Sequence, residues 1–84
     1  MYLGKVNISL KKSVLDPQGT TVMKAFHDLG EKSVIDVRIG KYIEVKLNSS
    51  SLEEAKEELD RLCKNLLVNQ VIETYQIFIE RDEK

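Results

Sequence analysis

Residues 34–47 read Val-Ile-Asp-Val-Arg-Ile-Gly-Lys-Tyr-Ile-Glu-Val-Lys-Leu, and their apolar side chains keep one alternation phase across a glycine. Successive side chains of a strand face opposite ways, so Ile35, Val37, Ile39, Ile43, Val45 and Leu47 share a face, which Lys41 interrupts. A two-residue hairpin loop at Gly40 and Lys41 would set Ile39 opposite Tyr42 and Val37 opposite Glu44. That register mixes apolar and polar residues on each face and is disfavoured. Two arrangements keep the faces sorted: a hairpin with an odd-length loop or a bulge, or one long strand that bends at Gly40 and leaves its own sheet. The bent strand is the preferred reading. Such a strand runs to about 15 residues against a usual 5 or 6, so its far half needs a second chain to pair with. The pattern therefore points to a dimer.

Length and charge agree. The chain has 84 residues, enough for one domain over residues 1–84. Domains of this size bury only somewhat more than roughly 60% of their unfolded surface, and oligomerisation is a common remedy. Thirteen basic and 14 acidic side chains leave a net charge of −1. No global field then draws nucleic acid or an anionic membrane, and neither is expected as a partner. Cys63 is the single cysteine, which excludes an intrachain disulfide framework and fits a reducing cytoplasm. No run approaches the roughly 20 apolar residues of a membrane span, and the N-terminus opens into a strand pattern instead of a signal peptide. A cytoplasmic, unprocessed protein is the expectation.

Outward from the central run, Tyr2, Val6, Ile8 and Leu10 alternate with Lys5, Asn7, Ser9 and Lys11, an amphipathic first strand with Gly4 on its apolar face. Asp16-Pro17-Gln18-Gly19 starts a helix, with Asp16 as N-cap and Pro17 at the first helical position. Val22, Met23, Phe26 and Leu29 continue it, and Gly30 fits its C-terminal stop. A second helix opens at Ser51, whose hydroxyl can cap the Glu54 N–H while the Glu54 carboxylate reaches back. Leu52, Ala55, Leu59, Leu62, Cys63, Leu66 and Leu67 form its apolar stripe. Glu57 with Arg61 and Asp60 with Lys64 are favourable surface pairs. A last strand from about residue 71 to 80 sets Val71, Tyr75, Ile77 and Ile79 on one face. The order is βαββαβ: an α+β, ferredoxin-like antiparallel sheet with helices on one face and the long bent strand across Gly40 shared in a dimer.

That architecture hosts many functions, so function must be argued from a site. The chemical inventory is thin. His27 is the only histidine, with no second ligand at metal spacing, and reads as a surface or boundary residue. Cys63 sits in an apolar stripe, where a small hydrophobe belongs. The acidic residues between 53 and 58 read as a solvated helix face. Asp16-Pro17-Gln18-Gly19-Thr20-Thr21 could in principle hold an anion at a helix N-terminus, but turn and cap chemistry account for it. Asp36, Arg38 and Tyr42 lie on the strand face opposite the apolar stripe. Lys41, at the bend, must reach solvent or a partner acid.

Three stretches carry a family likeness: Val14-Leu15-Asp16-Pro17-Gln18-Gly19, then residues 36–44, Asp-Val-Arg-Ile-Gly-Lys-Tyr-Ile-Glu, then residues 63–75, Cys-Lys-Asn-Leu-Leu-Val-Asn-Gln-Val-Ile-Glu-Thr-Tyr. In this order they closely resemble the PurS family, nearly end to end. The resemblance implies a small subunit of phosphoribosylformylglycinamidine synthase in purine biosynthesis, an ATP-dependent, glutamine-using carbon–nitrogen ligase. It implies a partner glutaminase subunit and a partner synthetase subunit, with this chain as a bridge that supports ammonia transfer and supplies no catalytic, cofactor-binding or metal residue. ATP and Mg would be used by the synthetase subunit. A homodimer, or a tetramer made of two such dimers, is implied as well. By matching motif, Asp16, Pro17, Gln18, Gly19 and Gly40 are carried over as structural turn residues, and Arg38, Lys41 and Tyr42 as partner contacts. Gln70 departs from the family's usual proline and Thr74 from its usual acid.

The alternative is a regulatory module of the ACT type, which shares the βαββαβ order and binds small amino acids at dimer interfaces. The absence of a fused catalytic domain and of a glycine-rich loop after the first strand counts against it. An acylphosphatase-like reading lacks the arginine its anion loop needs between Ser9 and Ser13.

Overall fold

The computed structural model describes residues 1–82, so residues 83 and 84 of the expected domain lie outside the described residues. Its elements are β1 (Tyr2–Leu10), α1 (Pro17–Asp28), β2 (Lys41–Leu47), α2 (Leu52–Leu62) and β3 (Glu73–Arg81). β1 is the central strand, antiparallel to both neighbours in the order β2-β1-β3. The register sets Tyr2 between Leu47 and Arg81, Gly4 between Val45 and Ile79, Val6 between Ile43 and Ile77, and Ile8 between Lys41 and Tyr75. Because side chains alternate, these residues line one face of the sheet. α2 lies on that face, and Val6, Ala55, Leu59 and Cys63 are completely enclosed between them.

Local signals place α2 and bend its end. The Ser51 hydroxyl accepts from the Glu54 N–H at 3.2 Å, as predicted. The Glu54 carboxylate, however, accepts from the Ser50 hydroxyl instead of reaching back to Ser51. After Leu62 the helix widens into a π-helical turn over Cys63–Leu67. The extra residue rotates the end of the helix, so Leu66 leaves the expected stripe and is exposed, while Leu67 packs on the core and Val68 is buried. Asp60 and Lys64 close at 3.0 Å, whereas Glu57 and Arg61 do not pair among the described residues. Tyr75 donates its hydroxyl to Asp60, which ties β3 to α2.

Val71 also departs from its expected place, being exposed ahead of a strand that begins at Glu73. The intervening turn is organised by Asn69. Its carbonyl accepts from the Ile72 and Glu73 N–H groups at 3.1 and 2.7 Å, and its side-chain oxygen from the Val71 N–H at 3.1 Å. These bonds supply locally the restraint that a proline would give at Gln70.

α1 begins and ends as its sequence predicts, but it does not lie on the sheet. Gly30, at φ 92°, follows the cap residue Leu29, and the Glu31 and Gly30 N–H groups bond back to the carbonyls of Phe26 and His27 at 2.9 and 3.0 Å. Residues 34–39 then run back along α1 and pair with no strand among the described residues. The α+β class and the ferredoxin-like order hold, with three strands in the sheet in place of four. The hairpin arrangement is excluded, since β2 pairs only with β1. The chain leaves the sheet at Gly40, but the expected long strand is not continuous: β2 has the seven residues Lys41–Leu47, and residues 34–39, lacking a neighbour to bond with, form no strand.

α1 and residues 34–39 thus form an arm beside the sheet. The molecule measures 51 × 30 × 14 Å with a radius of gyration of 16.6 Å. A compact chain of this length would have a radius near about 12 Å. Core packing is confined to the sheet and α2, and truncation there should be costly. Leu59→Ala should destabilise the protein by about 2–5 kcal/mol in urea unfolding at fixed protein concentration, and a loss below about 1 kcal/mol would contradict the packing described.

Candidate interaction site

The sequence-selected residues converge where the arm joins the sheet. Asp16 is only 4% exposed, and its carboxylate serves two segments at once. Oδ1 accepts from the Gly19 N–H at 2.9 Å, capping α1, and Oδ2 accepts from the Ile39 N–H at 2.7 Å, 23 residues away. These bonds, that to Ile39 foremost, hold the carboxyl below the usual aspartate range, with Arg38 adding a smaller pull. Arg38 turns back to the loop before α1, where one guanidinium nitrogen donates to the carbonyls of Lys11 and Val14, both at 2.9 Å.

Two glycines permit this closeness. A Cβ at Gly19 would collide with the Val37 carbonyl oxygen, and one at Gly40 with the Ile8 carbonyl oxygen. A side chain at either position would therefore push the arm off its seat. Pro17 opens α1, and Gln18 beside it is exposed. Farther along, the His27 ring Nε2 lies 2.7 Å from the Val34 carbonyl oxygen and holds the arm's strand-like segment to the helix. The turn residues Asp16, Pro17, Gln18, Gly19 and Gly40 are thus gathered at one junction.

Arg38, Lys41 and Tyr42 do not share one surface. Arg38 faces the loop of its own chain. Lys41 stands on the core face beside Ile8 and forms an ion pair with Glu73 at 3.2 Å. The acid that Lys41 needs is therefore supplied within the chain. Sequence reasoning missed Glu73, although it stands in the core phase of Tyr75, Ile77 and Ile79, the same irregularity that marked Lys41 in β2. Glu73 also accepts from the Asn69 N–H at 2.8 Å, and that bond is the main reason its carboxyl stays below the usual range. Lys41, Glu73, Gln18, Ile39 and Leu10 border a cleft of about 360 Å³ between arm and sheet. Tyr42 lies on the opposite, open face, about half exposed, and donates its hydroxyl to Glu44 at 2.8 Å.

Several apolar side chains on and beside the arm are exposed. Leu15, Leu29 and Ile35 are 77%, 79% and 90% exposed, and Phe26 is exposed between them in sequence. Cys63, by contrast, is buried, and burial pushes its thiol up, away from the reactive thiolate. Among the described residues no group of three histidine, cysteine or acidic side chains could hold a metal ion, and no helix is long and apolar enough to cross a membrane.

Fold and site together define a small α+β module of ferredoxin-like order, with an arm shaped at its root by buried hydrogen bonds. The module belongs to the PurS family: the family model described as phosphoribosylformylglycinamidine (FGAM) synthase matches residues 4–81. The PurS subunit of Bacillus subtilis FGAM synthase is 45% identical, with 95% of this chain and 94% of that protein aligned. The Methanocaldococcus jannaschii subunit is 41% identical, covering 99% of this chain and all of the relative. Its crystal structure superposes with a TM-score of 0.88 over 99% of this chain and 100% of that one. A chain in the structure of PurLQS from Thermotoga maritima is 26% identical with a TM-score of 0.84, covering 95% of this chain and 99% of that one. PurS is a subunit of FGAM synthase, a ligase of purine biosynthesis.

The Asp16 geometry has a pH signature. With its folded-state pKa below the unfolded value of 3.8, the carboxylate contributes stability that is present above that value and lost as pH falls through the folded pKa. Urea midpoints measured downward from about pH 5 should fall less steeply in Asp16→Asn than in the wild type. Equal slopes would contradict the role assigned to this carboxylate.

Proposed function

We propose that this chain is a non-catalytic assembly subunit that docks a glutaminase subunit onto an ATP-using synthetase subunit, so that ammonia released from glutamine reaches the synthetase without escaping to water. The observation that carries this reading is the arm: α1 and residues 34–39 project from the sheet with Leu29 and Ile35 uncovered, an arrangement that costs solvent exposure in an isolated protomer. The burial of Cys63 and the engagement of the His27 ring at Val34 support the absence of catalysis by this chain. ATP and Mg belong to the synthetase subunit in this scheme. The setting is the cytoplasm.

The working unit is a homodimer. Antiparallel pairing of one segment with its own copy is compatible with two-fold symmetry, and residues 34–39 offer an extended backbone that no strand of their own sheet uses. Pairing dimers into a tetramer would cover further apolar surface. Partner contacts at Lys41 and Tyr42 then fall on two different faces, consistent with a bridge that touches two subunits. Arg38 contributes through its own loop.

The test is turnover by the purified glutaminase and synthetase subunits with and without this chain, fed in parallel with glutamine and with free ammonia. The glutamine reaction should require the chain and the ammonia reaction should not. Equal glutamine turnover in its absence would overturn the bridging role.

A further inference from the structure

We propose that Asp16 and Arg38 form a positioning clasp that sets the angle at which the arm leaves the sheet and so preorganises it for pairing with a second copy of the chain. The inference rests on the dimer reading above and adds what makes the arm competent. α1 packs on none of the strands to any extent, so the core does not orient it. Orientation is left to the root. There the Asp16 carboxylate joins the first turn of α1 to the Ile39 N–H, and the Arg38 guanidinium joins the same segment to the Lys11 and Val14 carbonyls of the loop before α1.

Four hydrogen bonds of 2.7–2.9 Å thus organise the junction between the loop before α1 and the end of the arm. Residues 38 and 39 are held to that loop at three points, Lys11, Val14 and Asp16, which restrains twisting as well as separation. Asp16 is buried and Arg38 is occupied by its own chain, so neither is offered as a contact for the second copy. Their effect on pairing is indirect. None of the enclosed core residues Val6, Ala55, Leu59 and Cys63 takes part in these bonds, so loosening the clasp should leave the sheet folded.

Preorganisation has a calculable consequence. The apparent dissociation constant rises as the competent fraction falls, and in a homodimer both protomers must be competent. If loss of the clasp leaves about one protomer in ten correctly oriented, dimer dissociation rises about a hundredfold.

Sedimentation equilibrium of the full chain and of Arg38→Ala, Arg38→Lys and Asp16→Asn would measure this, with hydrogen exchange of the β1 amides as the control on folding. Arg38→Ala and Asp16→Asn should raise the dimer dissociation constant tenfold or more while β1 stays protected. Arg38→Lys should recover part of the loss, since an ammonium can donate to the same carbonyls without the guanidinium's fixed geometry. An unchanged constant in Arg38→Ala with β1 protected would overturn the clasp. Loss of β1 protection in both Arg38→Ala and Asp16→Asn would overturn it too, by making these residues part of the folding core. A wild-type chain that stays monomeric would overturn the dimer reading itself, and with it any role for the clasp in pairing.

Discussion

A single alternation phase runs through residues 35–47, and it keeps the segment before Gly40 from folding back on the segment after it through a two-residue turn; in the structure β2 pairs only with β1. The unusual shape of the molecule is a consequence of that constraint. Ile43, Val45 and Leu47 join the core face opposite Val6, Gly4 and Tyr2, which fixes β2 at the edge of the sheet. With Gly40 and Lys41 as a two-residue loop, Ile35, Val37 and Ile39 cannot be added to the same sheet without turning polar residues inward. They are carried away from it, and α1, connected to them through Gly30, goes with them. The result is a small two-layer core with an arm, in place of the four-stranded sheet with both helices on one face.

Polar chemistry at the junction makes the arm a defined object instead of a loose extension. A carboxylate accepting the Gly19 and Ile39 N–H groups and a guanidinium donating to the Lys11 and Val14 carbonyls satisfy main-chain groups of the helix start, the arm and the loop between β1 and α1. Lys41 and Glu73 do the same for charge, meeting across the end of β1 where two edge strands each place an ion in the core phase. The conspicuous residues of the family motifs are thus largely spent on internal geometry. Leu15, Leu29 and Ile35 are left exposed beside them.

Much of this is legible from residue types alone. The Asp16 cap, the Pro17 start, the Gly30 stop and the Ser51 cap are local signals, and each appears in the structure where the sequence places it. The exit of the chain from the sheet at Gly40 is legible too, because alternation is a property of the chain itself, whereas the end of the strand at Lys41 is not. Other features require tertiary information. The π-helical turn at Cys63–Leu67 leaves no mark in a sequence whose leucines fit an ordinary helix, so the stripe pattern puts Leu66 in the core although it is exposed. Val71 has the residue type and spacing of a strand position, but the Asn69 turn displaces the start of β3 past it. The bonds from Arg38 to the Lys11 and Val14 carbonyls are not legible either, because backbone groups leave no side-chain pattern.

The central claim is that residues 34–39 are completed by another chain. Amide hydrogen exchange of those residues, followed in the wild-type chain as protein concentration is raised, addresses it directly. For residues 34–38 the account predicts fast exchange at high dilution and protection that grows with concentration, while β1, and the Ile39 N–H that Asp16 holds within the chain, are protected throughout. Protection of residues 34–38 that is already complete at high dilution, where the chain is monomeric, would contradict it by showing that the segment finds its partner within its own fold.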